Sequence, residues 1–414
     1  MKKVSSMLML VLLPAFGIFY PGNPNQSPQP ESSSSSLSPA DVEFLDEFEA
    51  DFLKKLHISG CPGAAVTIVR NGQVIYSRGF GKRRHGARDL VDTKTVFRIG
   101  SLSKGFAGLL TSKMVEDKTL SWDDKVRTYI PEFNLRDQQQ ADRISIRHLL
   151  SHSTGLQRHA YTDLIELGRD LTYILPEFSR LRVYGKEGEY YAYQNTAFSM
   201  IEEIMYRKTG VDYNTLLSER IFKPAGMHYA STTYDDLVYA DNVAYPHVWN
   251  RNNRCIPIRL NKKYYNAVSA GGINASIDDM AAWLKVLLGN RPDIIGSEHL
   301  DHIFEPVVKN NNKAGFHGWK GVKETHYGIG WRIVNWEDKS IVYHGGSVNG
   351  FRSEIAIDRK NNIGICVLFN SNNRYAGKVI PEFIQNYETF LKNQDDLDEK
   401  STVADGTSVA KIRS

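Results

Sequence analysis

Strand-like segments lie at the two ends of this 414-residue chain, and helix-like segments fill most of the sequence between them. Near the N-terminus, the apolar run 64–70 is followed by Asn71-Gly72 and by a second run at 73–77. Asn-Gly between two such runs predicts a β-hairpin with a type I′ turn. Further strands are predicted near the C-terminus, at 328–334, 340–344, 353–357 and 363–369.

The residues from about 104 to about 320 show mostly helical spacing of apolar side chains. Ser38-Pro39 has the pattern of a cap and first residue of an N-terminal helix, and a final helix is predicted from about Tyr375 to Lys392. The sequence therefore predicts an α+β fold. One antiparallel sheet joins the N- and C-terminal strands, is flanked by N- and C-terminal helices, and carries a large inserted helical domain.

Residues 1–20 have the pattern of a signal peptide or membrane anchor. Lys2 and Lys3 precede an apolar stretch of about fourteen residues, shorter than the ~20 needed to span a bilayer. The segment predicts a secreted or periplasmic protein, and membrane association through an uncleaved anchor stays open. Residues 21–37, rich in serine and proline, are predicted to be a flexible linker. Residues 38–392 are then the folded domain, and residues 393–414 a disordered tail.

The charge balance does not favour a nucleic-acid partner. The 51 Lys and Arg residues and the 47 Asp and Glu residues leave a net charge of +4, dispersed along the chain. Cys366 lies in an apolar run and is predicted to be a small core residue. A disulfide between Cys61 and Cys255 stays open.

A histidine pair is the only pattern in the sequence that resembles a metal site. His148 and His152 have the i, i+4 spacing of a helical zinc pair. However, Leu149 stands where a His-Glu-x-x-His protease needs its glutamate. We therefore predict neither a metal nor a cofactor.

The segment Ser101-Leu102-Ser103-Lys104 carries the strongest chemical signal. A serine hydroxyl becomes a useful nucleophile only beside a base that accepts its proton. If a helix begins at Ser101, Lys104 lies one turn further on the same face, and the Ser101 N–H lies at a helix N-terminus, where it favours an anion. The same pattern recurs at Ser408 to Lys411 in the polar tail, so the pattern alone is not specific.

Two further segments supply candidate partners. Tyr193 and Asn195 form a Tyr-x-Asn pattern, in which a phenol beside an ammonium can relay protons; Tyr264-Tyr265-Asn266 repeats the pattern. At the end of a predicted strand, His344-Gly345-Gly346-Ser347 offers glycines that permit a close backbone approach. The Ser347 N–H is a candidate oxyanion donor, and His344 can donate a hydrogen bond or bear charge.

In this order, Ser-x-x-Lys, Tyr-x-Asn and a strand-borne basic-x-Gly are the motif set of the penicillin-recognising serine hydrolases. The sequence resembles the superfamily of class C β-lactamases and penicillin-binding proteins, especially its β-lactamase-related esterase and peptidase branch. The resemblance covers about residues 40–392, and the segments 62–66 and 146–156 support it.

The resemblance implies a role for each candidate residue. Ser101 attacks a carbonyl to form an acyl-enzyme, and Lys104 and Tyr193 share the general-base and proton-shuttle work. Asn195 orients Lys104 and the substrate amide, while the Ser101 and Ser347 amides form the oxyanion hole. For Lys104 to act as a neutral base at pH 7, its pKa must fall from ~10.4 to about 7.

The chain departs from the family pattern at His344-Gly345-Gly346, where β-lactamases and DD-peptidases typically carry Lys-Thr-Gly. That lysine stays charged and anchors the substrate carboxylate. An imidazole with a pKa near 6.5 would be only about a quarter protonated at pH 7. We therefore expect weaker carboxylate anchoring here, unless Arg352 compensates.

These observations predict a secreted serine hydrolase that cleaves an amide or ester through an acyl-enzyme on Ser101. The expected substrates are a peptide, a D-amino-acid peptide or a small ester, with peptidoglycan fragments among the candidate partners. One alternative is a class C-type β-lactamase. The other, from a different functional class, is a non-catalytic penicillin-binding-like interaction protein.

Overall fold

The computed structural model describes residues 37–311, 316 and 319–410, with side chains described as far as residue 396. The predicted signal peptide or anchor at 1–20 and residues 21–36 of the predicted linker (21–37) lie outside these residues. In the part of the chain that the structure describes, no helix is both long enough and apolar enough to cross a membrane.

The strands are β1 (Gly63–Arg70), β2 (Gln73–Gly81), β3 (Phe97–Arg98), β4 (His247–Trp249), β5 (Cys255–Pro257), β6 (Asn274–Ala275), β7 (Val308–Lys309), β8 (Val322–Tyr327), β9 (Arg332–Trp336), β10 (Lys339–Val348), β11 (Phe351–Asp358) and β12 (Ile363–Phe369).

The helices are α1 (Pro39–Ser59), α2 (Ser103–Glu116), α3 (Val126–Tyr129), α4 (Gln138–Arg143), α5 (Ile146–Leu150), α6 (Thr162–Glu166), α7 (Leu171–Ile174), α8 (Asn195–Thr209), α9 (Tyr213–Leu217), α10 (Lys223–Ala225), α11 (Tyr234–Tyr239), α12 (Val268–Gly271), α13 (Ile277–Leu287), α14 (Ser297–Ile303) and α15 (Ala376–Ala410). Short 3₁₀ turns occur at Gly100–Leu102 and Leu175–Arg180, and a π turn at Ser218–Phe222.

Eight strands form one sheet in the order β2-β1-β12-β11-β10-β9-β8-β7, with antiparallel neighbours throughout. β1 lies beside β12, with Ala64 opposite Phe369, so the two ends of the folded chain meet in the sheet. Asn71 and Gly72 both have positive φ, as a type I′ turn requires. The predicted α+β fold with a helical insertion is confirmed.

The sheet is covered on both faces, which explains why β12 is apolar throughout. Ile365 and Val367 pack against α1 and α15 on one face. Cys366 and Leu368 point to the other face, where the helical domain packs. Cys366 is thus confirmed as a core residue.

The other two cysteines do not form the disulfide that the sequence left open. Cys61 and Cys255 are both free thiols, and Cys61 is buried. Burial raises the pKa of Cys61 to about 11, so this thiol stays protonated at neutral pH.

Two predicted boundaries differ from the structure. The strand predicted at 328–334 begins only at Arg332, because glycines at 328 and 330 interrupt it and the Gly328 N–H closes a turn onto the Trp331 carbonyl at 2.8 Å. The final helix, predicted to end near Lys392, continues as α15 to Ala410 and so extends into the segment 393–414 for which a disordered tail is predicted. No proline follows Pro381 to stop that helix. Residues 411–414 lie outside the described residues.

Candidate active site

The turn that carries Ser101 is fixed between the sheet and the helical domain. Ser101 lies in the 3₁₀ turn that leads into α2, so the α-helix begins two residues later than predicted. Gly100 adopts a φ of 54°, which favours glycine. Its carbonyl accepts a hydrogen bond of 2.7 Å from the Ser103 hydroxyl. On the sheet side, the Ser353 hydroxyl of β11 donates to the Ile99 carbonyl at 2.7 Å.

Lys104 is completely buried at the start of α2, and its ammonium position is surrounded by oxygen atoms. Its Nζ lies 2.8 Å from Asn195 Oδ1, 2.7 Å from the Ala270 carbonyl oxygen and 3.4 Å from Ser101 Oγ. Burial, and secondarily the positive charge of Arg332, hold the pKa of Lys104 well below its usual value. The side chain is therefore suited to be a neutral amine.

A neutral amine can form a suitable hydrogen bond with each of these three neighbouring oxygen atoms. Its two N–H groups are taken up by the Asn195 and Ala270 oxygens, which can only accept. The remaining lone pair is then free to accept a proton from the Ser101 hydroxyl. The predicted nucleophile–base pair is thus assembled in this structure.

Tyr193 covers the other side of Lys104. The Lys104 Nζ lies 4.7 Å from the centre of the Tyr193 ring, and the phenol is buried. Burial raises the pKa of Tyr193 to about 12, although Arg332 and then Ser101 act in the opposite direction. Among the described residues the Tyr193 hydroxyl makes no hydrogen bond of strict geometry, although Ser101 is close enough to lower its pKa. Tyr193 is therefore a phenol at neutral pH, and its hydroxyl is available as a donor.

The repeated Tyr-x-Asn pattern also contributes to the site. Asn195, the first residue of α8, uses its oxygen on Lys104 and donates from Nδ2 to the Tyr264 hydroxyl at 3.2 Å. Tyr264 in turn donates to Glu166 at 3.3 Å, and the Glu166 carboxylate also accepts from Lys263 at 2.9 Å. This network fixes the Asn195 amide so that its oxygen faces Lys104.

The backbone of Ser347 lies against the Ser101 turn. A Cβ atom added to Gly100 would lie 3.0 Å from the Ser347 nitrogen, and one added to Gly346 would lie 2.3 Å from the Ile99 carbonyl oxygen. Only glycine at 346 permits this approach of β10 to the turn. The two amides predicted to form an oxyanion hole, those of Ser101 and Ser347, are thus on adjoining segments.

His344 lies behind Tyr193, with the two ring centres 6.4 Å apart. The imidazole is fully buried: Nε2 lies 3.0 Å from the Tyr327 hydroxyl and Nδ1 lies 3.0 Å from the Gly345 carbonyl. Burial, followed by the charges of Arg332 and Lys104, lowers the pKa of His344 well below its usual value. The expectation of an imidazole about a quarter protonated at pH 7 is wrong, because it assumed a solvent-exposed ring.

Arg332 is the cation of this site that sequence reasoning missed. It lies on β9 opposite Tyr343, next to His344 along the sheet. Its guanidinium lies 5.6 Å from the Tyr193 ring centre and 3.5 Å from His344 Nδ1. No ion pair joins it to a carboxylate among the described residues. The register of β9 against β10, which brings it here, cannot be read from a strand pattern alone.

Arg352, the predicted compensating cation, is already paired. Its Nε donates to Glu354 at 2.6 Å, and the buried Glu354 carboxylate also accepts from the Tyr343 hydroxyl at 2.6 Å. Because this carboxylate neutralises Arg352, we look to Arg332, the described cation next to Tyr193 on the sheet, for a charge that can act on a substrate.

The two histidines with zinc-like spacing do not form a pair. His148 is in α5, whereas His152 lies beyond the helix end with a φ of 57°. His152 packs against Tyr193 with ring centres 4.2 Å apart, and its Nδ1 accepts from the Gln194 N–H at 3.2 Å. Within the described part of the chain, no group of three or more His, Cys, Asp or Glu residues is placed to hold a metal ion.

Known proteins resemble this chain in sequence and in fold. The family model described as Beta-lactamase matches residues 45–383. The chain is 25% identical over 348 residues to Protein flp of Staphylococcus aureus (strain MW2), covering 82% of this chain and 64% of that protein. It is 24% identical over 354 residues to the Unguisins hydrolase ungD' of Aspergillus campestris, covering 83% and 64%. The chain thus spans slightly less than two thirds of the length of these curated relatives.

Among solved structures, the chain is similar to the octameric penicillin-binding protein homologue from Pyrococcus abyssi. The TM-score is 0.72 at 25% sequence identity, covering 84% of this chain and 77% of the other. The predicted resemblance is confirmed. The chain belongs to the Beta-lactamase family.

Proposed function

We propose that this protein hydrolyses an amide or ester through an acyl-enzyme on Ser101. The observation that carries the proposal is the position of the Lys104 amine. It is buried, 3.4 Å from Ser101 Oγ, and its two N–H donors are already directed at the Asn195 and Ala270 oxygens. A general base in this geometry contributes about 10²- to 10⁴-fold to a rate.

In the acylation step, Ser101 Oγ forms a bond to the substrate carbonyl carbon while its proton passes to the Lys104 lone pair. The carbonyl oxygen becomes an oxyanion, which accepts hydrogen bonds from the Ser101 and Ser347 N–H groups. The bond to the leaving amine or alcohol then breaks, and Tyr193 gives that group its hydroxyl proton. The phenolate regains a proton from the Lys104 ammonium, so both groups return to their starting charge. Water repeats the sequence on the acyl carbonyl and releases Ser101.

The raised pKa of Tyr193 divides the work between the two groups. A neutral phenol is a poor base at pH 7 but a good proton donor, whereas a neutral lysine is a base. We therefore assign the base role to Lys104 and the acid role to Tyr193, in place of a base shared by both.

The proposed substrate carries an anionic group. Arg332 supplies a positive charge beside Tyr193 that no carboxylate of the described chain neutralises, and a guanidinium binds carboxylates in bidentate geometry. A peptide or D-amino-acid peptide with a free carboxylate, a peptidoglycan fragment of that kind, or an ester of a dicarboxylic acid meets this requirement. We further propose that the enzyme acts outside the cytoplasm, a proposal that depends on the signal-like residues 1–20.

Three substrates test the reaction: a fluorescent penicillin, a nitrophenyl ester and a D-alanyl peptide. The expected result is turnover of the ester or the peptide, with a covalent mass increase on Ser101 that is absent in Ser101→Ala. Rapid turnover of the penicillin would instead identify a β-lactamase. No labelling with any of the three, and no difference between Ser101→Ala and the wild type, would leave a binding protein.

A further inference from the structure

We propose that Glu202 is a positioning residue for the general base, acting through the α12 turn that supplies a carbonyl to Lys104. The inference takes from the proposed function only that Lys104 is the base. Glu202 contacts neither Ser101 nor Lys104 in any described hydrogen bond, so its action is indirect.

The Glu202 carboxylate holds α12 at its start. Its Oε1 accepts from the Ser269 N–H at 2.7 Å and from the Ser269 hydroxyl at 2.5 Å. The next residue, Ala270, offers its carbonyl oxygen to Lys104 Nζ at 2.7 Å. A shift of the α12 turn would therefore change the Lys104–Ala270 hydrogen bond directly.

Both oxygen acceptors of Lys104 are tied to the same helix. Asn195 is the first residue of α8 and Glu202 lies two turns further along it, which is about 10 Å along the axis. One end of α8 thus provides the Asn195 oxygen, and its middle fixes the α12 turn that provides the Ala270 oxygen. Because α8 fixes both oxygen acceptors, the Lys104 amine is held in one orientation, with its lone pair directed at Ser101.

Among the described residues, the Glu202 carboxylate forms no ion pair with a basic side chain. The groups that face it are the Ser269 hydroxyl and amide and the Val268 amide on α12, and the Tyr213 phenol on α9. Burial raises the pKa of Glu202 to about 7, against the hydrogen bonds from Ser269 and Val268. Lys104 responds to burial and to Arg332, so Glu202 acts on it through geometry.

The consequence for Lys104 has a definite sign. A carbonyl acceptor favours the protonated amine, because it binds an N–H donor of the charged form more strongly. If the Ala270 carbonyl moves away, the pKa of Lys104 falls further. The amine also loses its fixed orientation toward Ser101, which slows acylation.

The test compares Glu202→Ala, Glu202→Gln and the matched control Glu203→Ala, the neighbouring residue on α8, which pairs with Arg207. Lysine labelled with ¹³C at Cε reports the Lys104 titration, with its resonance assigned by its loss in Lys104→Met. We expect Glu202→Ala to lower the Lys104 pKa by half a unit or more, because the protonated amine loses its charge-assisted hydrogen bond to the Ala270 carbonyl. Glu202→Gln, whose amide oxygen can still accept from Ser269, should stay near the wild type, as should Glu203→Ala.

Kinetics on the nitrophenyl ester provide the second readout. Glu202→Ala should lower kcat about tenfold with KM changed less than twofold, and should move the acid limb of kcat/KM to lower pH. Glu202→Gln should restore most of kcat. An unchanged Lys104 titration in a folded Glu202→Ala protein would overturn the inference. Because the titration needs no substrate, a wild type that turns over no substrate would overturn the proposed function separately.

Discussion

Two arginines lie on the strands that neighbour β10, Arg332 opposite Tyr343 and Arg352 opposite Ser347, and their surroundings differ in one respect. Arg352, on β11, donates to the buried Glu354 carboxylate at 2.6 Å. Arg332, on β9, faces the rings of Tyr193 and Tyr343 and the imidazole of His344. One guanidinium belongs to a neutralised pair that supports the sheet, whereas the other places a positive charge without a carboxylate partner beside Tyr193.

This difference bears on the two basic groups nearest Arg332, which are Lys104 and His344. A fixed positive charge at Arg332 disfavours further protonation nearby, so it adds to burial in lowering the pKa values of Lys104 and His344. Arg332 on the sheet then attracts an anion, while Lys104 on α2 provides a neutral base. Arginine suits the first task because it does not lose its proton at physiological pH.

The largest effect is expected at the base itself. Lys104→Ala removes the proposed base, whose Nζ lies 3.4 Å from Ser101 Oγ, so kcat/KM should fall by about 10³-fold or more on every substrate. Steady-state hydrolysis of the nitrophenyl ester measures it, with the exposed Lys54→Ala as control. Activity within tenfold of the wild type would mean that Tyr193 or another group serves as the base.

Much of this arrangement is predictable because it is local in sequence. The Asn71-Gly72 hairpin and the Ser38 cap need only neighbouring residues, and the Ser101–Lys104 spacing fixes their relation within one turn. Arg332 and Ala270 join the site through strand register and chain crossing, which no local pattern specifies. The charge state of His344 depends on burial, a property of the whole fold, so a reference pKa predicted it wrongly.

Arg352, the neutralised arginine, should contribute to the free energy of unfolding. Arg352→Met leaves the fully buried Glu354 without its cation, which should lower the free energy of unfolding by about 3 kcal/mol near pH 8. Burial already raises the pKa of Glu354, and losing Arg352 raises it further. Because a carboxyl with a raised folded pKa costs stability only where the unfolded chain is ionised, the loss should shrink toward pH 4. Urea unfolding at the two pH values measures this, and an equal loss at both would contradict it.

Arg332, the uncompensated arginine, should determine the preference for substrates that carry a carboxylate. Arg332→Gln removes a charge-assisted contact, so kcat/KM should fall about 10- to 100-fold on a carboxylate-bearing nitrophenyl ester. Nitrophenyl acetate, which has no free carboxylate, should be affected much less. Arg180→Gln, at an exposed arginine paired with Glu177, is the matched control. Equal losses on both esters would show that Arg332 does not bind the substrate anion.

The smallest expected effect is a shift in the pH dependence of kcat/KM in Arg332→Gln. The neutral form of Lys104 is the base, so kcat/KM rises with pH through the Lys104 pKa. Arg332→Gln removes a positive charge that lowers this pKa. The Lys104 pKa therefore rises, and the acid limb should move to higher pH by up to about one unit, equivalent to ~1.4 kcal/mol. Arg352→Met should leave the limb in place, because its guanidinium is neutralised by Glu354 and does not affect Lys104. If both variants moved the limb equally, the distinction between a neutralised and an uncompensated arginine would have no bearing on the base.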